Sequence, residues 1–112
     1  MSSDELQWIS VCEADELSPL LGVRALLDQQ QIALFNVKGE LYAIDAIDPF
    51  TDAAVLSRGI VGDIKNQVVV ASPIYKQHFS LASGICLEDE SVSVKTYPVR
   101  EKDGKIQLGK KC

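Results

Sequence analysis

Two short segments hold the polar side chains whose types and spacing could do chemistry: Asp48-Pro49-Phe50, and Ser72-Pro73-Ile74-Tyr75-Lys76-Gln77-His78. Nucleophilic catalysis would need Ser72 or a cysteine beside a positioned base, and no triad-like motif such as G-x-S-x-G is present. His78 is the single histidine, so a zinc site, a facial triad or a two-histidine iron site cannot be assembled from this chain alone. It reads as a packing or surface histidine, with an interface role as the alternative. Cys12, Cys86 and Cys112 are odd in number and lack C-x-x-C spacing, which argues against a disulfide framework or a zinc knuckle. Cys12 beside Val11, and Cys86 between Ile85 and Leu87, read as reduced core residues, and Cys112 as an exposed thiol at the end of a Gly109-Lys110-Lys111 tail. Gly59-Ile60-Val61-Gly62-Asp63 matches neither G-x-G-x-x-G nor a P-loop and reads as a tight turn. No independent catalysis is predicted.

The elements that must position these residues are short. Trp8-Ile9-Ser10-Val11 alternates as a first strand, Glu13 to Leu17 suits one helical turn stopped by Ser18-Pro19, and Gly22–Asp28 with Gln31–Val37 forms a hairpin over Gln29-Gln30. Gly39 offers the positive φ for the next reversal, and Leu41 to Ile44 returns as a strand. Asp45 to Gly62 has too little periodicity for a regular element and is expected to be an extended loop with Asp48-Pro49-Phe50 at its tip. Val68-Val69-Val70-Ala71 is a β-branched run feeding a second tip, His78-Phe79-Ser80-Leu81 leaves it, and Ser83-Gly84 turns the chain back. Glu88-Asp89-Glu90 reads as a solvated acidic turn. Ser91 to Lys95 alternates cleanly, and 97–101 with 105–108 closes a terminal hairpin over Lys102-Asp103-Gly104. Many short strands without a long helix predict an all-β sandwich or barrel.

Composition bounds the rest. The 112 residues fit one domain, which by size scaling buries roughly 65% of its unfolded surface. Sixteen acidic against eleven basic residues give a net charge of -5, which opposes nucleic-acid binding. No apolar run approaches the roughly 20 residues of a membrane span, and the acidic start Met1-Ser2-Ser3-Asp4-Glu5 lacks the regions of a signal peptide, so the expected compartment is the cytoplasm, with no membrane partner.

Read together, the two tips have the layout of a Rieske iron–sulfur site without its metal ligands. Asp48 and Phe50 stand where Cys-x-His would be, and Ser72 and Tyr75 where Cys-x-x-His would be. Leu41-Tyr42-Ala43-Ile44 resembles the strand entering the first loop of Rieske ferredoxins, Phe79-Ser80-Leu81-Ala82-Ser83-Gly84 the hairpin after the second, and Tyr97-Pro98-Val99 with Asp103-Gly104 the closing hairpin. Between the loops, Leu56–Asp63 and Ala71–Phe79 are similar to one branch, the small subunits of assimilatory NAD(P)H-dependent nitrite reductase, the NirD family.

That resemblance implies one Rieske-like domain over 1–112, with a smaller loop subdomain from 45 to about 87 on a β base. It implies a cytoplasmic accessory subunit for a large subunit that holds flavin, sirohaem and an iron–sulfur cluster and reduces nitrite to ammonium in nitrate assimilation. Phenylalanine has no donor atom, and Ser72 and Tyr75 offer protonated oxygens, so no cluster or other cofactor is expected in this chain. The tips remain as a docking surface formed by Asp48, Pro49, Phe50, Pro73, Tyr75, Lys76, Gln77 and His78, with Lys76 and Asp48 setting charge register. Alternatively, Phe50 and Tyr75 fill the volume a cluster would take. Two other function classes stay open: a Rieske-type ferredoxin that carries electrons, and a Rieske-fold interaction module for another oxidoreductase.

Overall fold

Alternating and β-branched segments without a long amphipathic stretch leave antiparallel pairing as the way to bury the apolar residues. The structure, a computed structural model, describes residues 6–17, 22–74 and 76–111. Among them the strands are β1 (Leu6–Glu13), β2 (Val23–Leu27), β3 (Gln30–Val37), β4 (Glu40–Asp45), β5 (Ile60–Ile64), β6 (Gln67–Ala71), β7 (His78–Ser80), β8 (Val99–Lys102) and β9 (Lys105–Lys111). They form three antiparallel sheets in the orders β1-β9-β8, β2-β3-β4 and β5-β6-β7. Short 3-10 turns occupy Ala14–Glu16 and Leu56–Arg58.

The unbroken apolar run Ile32-Ala33-Leu34-Phe35 explains the stacking. A strand points successive side chains to opposite faces, so a run with no polar alternation must be covered on both. Ile32 and Leu34 pack with Ala43, Ile106 and Leu108 towards the β1-β9-β8 sheet. Ala33, Phe35 and Val37 pack with Ile44, Leu56, Val70, Phe79 and Leu81 towards the β5-β6-β7 sheet. The β2-β3-β4 sheet is thus the middle of an all-β arrangement.

Several expectations change. The first long hairpin turns at Asp28-Gln29, because Leu27 pairs with Gln30 and leaves those two residues at φ 50 and 70. The segment expected as an extended loop from Asp45 to Gly62 ends sooner: its last part enters β5, which pairs Ile60 with Ala71 and Ile64 with Gln67. Gly59 serves that entry rather than a tight turn, since a Cβ there would stand 2.4 Å from the Ala71 carbonyl oxygen. Ser91 to Lys95 makes no regular strand and is held by single bridges, Ile85 with Ser93 and, just beyond, Ile44 with Thr96. The expected stop at Ser18-Pro19 and the Cys112 thiol lie outside the described residues.

Candidate functional site

The first tip is a tight loop anchored at both ends. The Ala46 N–H donates to the Gln31 carbonyl at 2.9 Å, and the Leu56 N–H donates to the Ala46 carbonyl at 3.0 Å. Inside it the Asp48 N–H donates to the Ala53 carbonyl at 2.9 Å, and the Asp52 N–H to the Asp48 carbonyl at 2.8 Å. Asp48 Oδ1 accepts from the Phe50 N–H at 2.9 Å, the Asx-type turn that a short carboxylate side chain makes well. The second tip is closed at its neck by the Ser72 N–H to the Gln77 carbonyl at 2.9 Å and the Lys76 N–H to the Ser72 carbonyl at 3.0 Å.

The two tips meet through the residues that the sequence set opposite each other. The Ser72 hydroxyl donates to Asp48 Oδ2 at 2.5 Å across a separation of 24 residues, and both side chains are buried. Asp48 is 0% exposed, which corrects its expected place on a docking surface: its carboxyl oxygens are engaged inside, by the Ser72 hydroxyl and the Phe50 amide. Phe50 is half-buried against the cluster of Phe35, Leu56 and Phe79, with its ring centroid 6.2 Å from that of Phe79. The packing role expected for Phe50 is therefore occupied, and its surface role is reduced to the face left open. Pro49, Pro73 and Lys76 are exposed, while Gln77 and His78 are partly so. Tyr75 lies outside the described residues.

His78 is held by an acidic residue that the sequence read only as part of a solvated turn. Glu88 Oε1 accepts the His78 backbone N–H at 2.7 Å, and its Oε2 lies 2.6 Å from the imidazole Nδ1. Burial acts to raise the Glu88 carboxyl, but the hydrogen bonds from His78 and its charge outweigh it and set the group below its ordinary value. No local spacing rule links residues ten apart in a turn, so this contact had no signal in the sequence. Asp45 was also missed. Its Oδ1 accepts from the Tyr97 hydroxyl at 2.6 Å, tying the end of β4 to the segment before β8. Burial first, then that hydrogen bond and the Asp45 charge, push the Tyr97 phenol up.

The donor set fits poorly with iron–sulfur chemistry. A Rieske centre takes two thiolates and two imidazoles. Asp48 and Ser72 instead satisfy each other, Phe50 has no donor atom, and among the described residues no group of three or more His, Cys, Asp or Glu side chains is placed to hold a metal ion. The Cys86 thiol is buried and pushed up chiefly by that burial; the Cys12 thiol is raised by burial and then by Glu16 and Glu13.

Residues 7–109 match the model of the Rieske-like [2Fe-2S] domain. The chain is 45% identical over 104 residues to the nitrite reductase (NADH) small subunit of Escherichia coli, an alignment spanning 91% of this chain and 96% of that one. This chain belongs to the nitrite reductase small subunits of the NirD type. The solved structure of the Escherichia coli protein NirD superposes with a TM-score of 0.87 at 44% identity, covering 95% of this chain and 98% of that one. A Klebsiella oxytoca nitrite reductase [NAD(P)H] large subunit also matches, at 36% identity over 102 residues, 91% of this chain but 11% of that much longer one. The tips described above are therefore those of a nitrite reductase small subunit.

Proposed function

We propose that this small subunit works without a cluster, as an accessory to the large subunit of NAD(P)H nitrite reductase, which it stabilises, positions or regulates while nitrite is reduced to ammonium in the cytoplasm. The observation that carries this reading is the buried hydrogen bond between Asp48 and Ser72 at the two tips. It joins the loops that a metal centre would join in a Rieske protein, and it leaves no thiolate or imidazole pair to coordinate iron. Flavin, sirohaem and the iron–sulfur cluster then belong to the large subunit, and electrons do not pass through this chain. The likeness to part of a Klebsiella large subunit supports the partnership, since there a domain of this kind is carried in the large-subunit chain itself.

The tips dock by their exposed residues Pro49, Pro73 and Lys76 with Gln77 and His78, and proline-restricted loops lose less entropy on binding. NAD(P)H-dependent nitrite reduction by the large subunit, assayed with and without this chain, tests the role. Higher activity or longer-lived large subunit in its presence is expected; equal activity and equal stability would refute it. The family description names a [2Fe-2S] domain, which favours an electron-carrying ferredoxin as the competing reading. A brown colour with bound iron and acid-labile sulfide would establish that alternative.

A further inference from the structure

Resting on that reading, we infer that the outer face of the β1-β9-β8 sheet is a second docking surface for the large subunit, on which the stacked pair Trp8 and Arg100 receives a carboxylate of that partner. The inner residues of this sheet, among them Ile9, Val99, Ile106 and Leu108, pack with the middle sheet. Strand alternation and register then place Trp8, Ser10, Arg100, Lys102, Lys105 and Gln107 on the opposite face. Lys102 and Lys105 are exposed, and Trp8, Arg100 and Gln107 partly so.

Arg100 is held in one pose. Its guanidinium carbon lies 4.1 Å from the centre of the Trp8 ring, its Nε donates to Gln107 Oε1 at 2.8 Å, and Gln107 Nε2 donates in turn to Ser10 Oγ at 3.2 Å. The stack uses one plane of the guanidinium and the hydrogen bond its inner nitrogen, which leaves the terminal N–H fork for a carboxylate. A side chain ordered in advance loses little entropy on binding, and Trp and Arg are the types that carry most energy at interface centres. Lys105 is paired with Glu13, whereas among the described residues neither Arg100 nor Lys102 joins an ion pair. The face is thus a positive patch on a chain of net charge -5, suited to an acidic segment.

The strands that bound the domain indicate which protein supplies that segment. The matched domain starts at residue 7 in β1 and stops at residue 109 in β9, and these strands are paired, Leu6 with Lys111. In the Klebsiella large subunit the domain like this one takes up 11% of the chain, and in an Emericella nidulans nitrite reductase [NAD(P)H] 10%. The rest of each of those polypeptides joins its domain through the strand equivalent to β1 or β9. This sheet is therefore the side on which large-subunit chain is tethered in the fused forms, and a separate small subunit presents the same side to it without the tether.

Affinity of charge variants for the purified large subunit tests the contact. R100E is expected to bind about tenfold more weakly, and K102E, at an exposed position, several-fold more weakly, each with a shallower dependence on salt. R100K keeps the charge but neither stacks nor forks, so it should also lose several-fold. Wild-type affinity in R100E and K102E, both folded by their thermal midpoints, would overturn the contact while leaving the accessory role in place. A wild-type chain that self-associates, with an R100E variant that is monomeric yet binds the large subunit as before, would give the face to a second copy and equally overturn it. Failure of the wild-type chain to bind the large subunit would instead remove the underlying reading, and the contact with it.

Discussion

A carboxylate with no exposed surface keeps its place in a protein only through donors aimed at it, and Asp48 has two, the Ser72 hydroxyl and the Phe50 amide. Removing the hydroxyl in Ser72→Ala leaves Oδ2 buried and short of a partner, which is expected to cost about 2 kcal/mol in urea unfolding. Asp48→Ala should cost at least as much, because it frees both tips at once. Glu88 makes a weaker, exposed link to His78, its side chain 48% open to solvent. Its carboxyl is held below the ordinary 4.5, so the link stabilises the fold above that pH and loses its contribution as pH falls through the lower, folded-state value. Glu88→Gln should therefore flatten the acid limb of a stability–pH curve, by a fraction of a kcal/mol after solvent screening. The meeting of Asp48 and Ser72 was legible only through the resemblance, which set them at the tips of two facing loops; no local pattern pairs residues 24 apart. Burial of Asp48 was not, since an aspartate in a loop reads as solvated until its donors are known.

Hairpin turns decide how much of each element could be read. Four two-residue turns reverse the chain with positive φ at both positions: Asp28-Gln29, Lys38-Gly39, Lys65-Asn66 and Asp103-Gly104. Turns of that kind match the right-handed twist of paired strands, and they favour glycine or asparagine. The two that contain glycine were placed from the sequence. The Asp28-Gln29 turn was set one residue late, and the Lys65-Asn66 turn passed unread together with β5, whose Gly62 and Asp63 are poor strand formers. Substituting Gln29→Gly relieves a left-handed residue and is expected to stabilise the chain by about 0.5 to 1 kcal/mol, read as a higher thermal midpoint. The opposite holds at Gly84, where φ is +80 and a Cβ would lie 2.1 Å from the Val94 carbonyl oxygen. Gly84→Ala should lower stability by more than about 2 kcal/mol and loosen the return segment behind the second tip.

At the scale of the molecule, three stacked sheets hold two loops together at one end, and a polar bolt between Asp48 and Ser72 closes them. The all-β class was legible in the many short strands and the family in the text around the loops, whereas the layering emerged only with the two covered faces of β3, and the partner surface depends on which tip residues remain exposed. Lys76→Glu reverses an exposed charge without touching the core and should weaken association with the large subunit several-fold, with a smaller effect at high salt. As an accessory proposed to work without a cluster, this small subunit should purify free of iron. Anaerobic purification of the chain followed by assay of iron and acid-labile sulfide is expected to give neither in stoichiometric amount, whereas two irons and two sulfides per chain would contradict it.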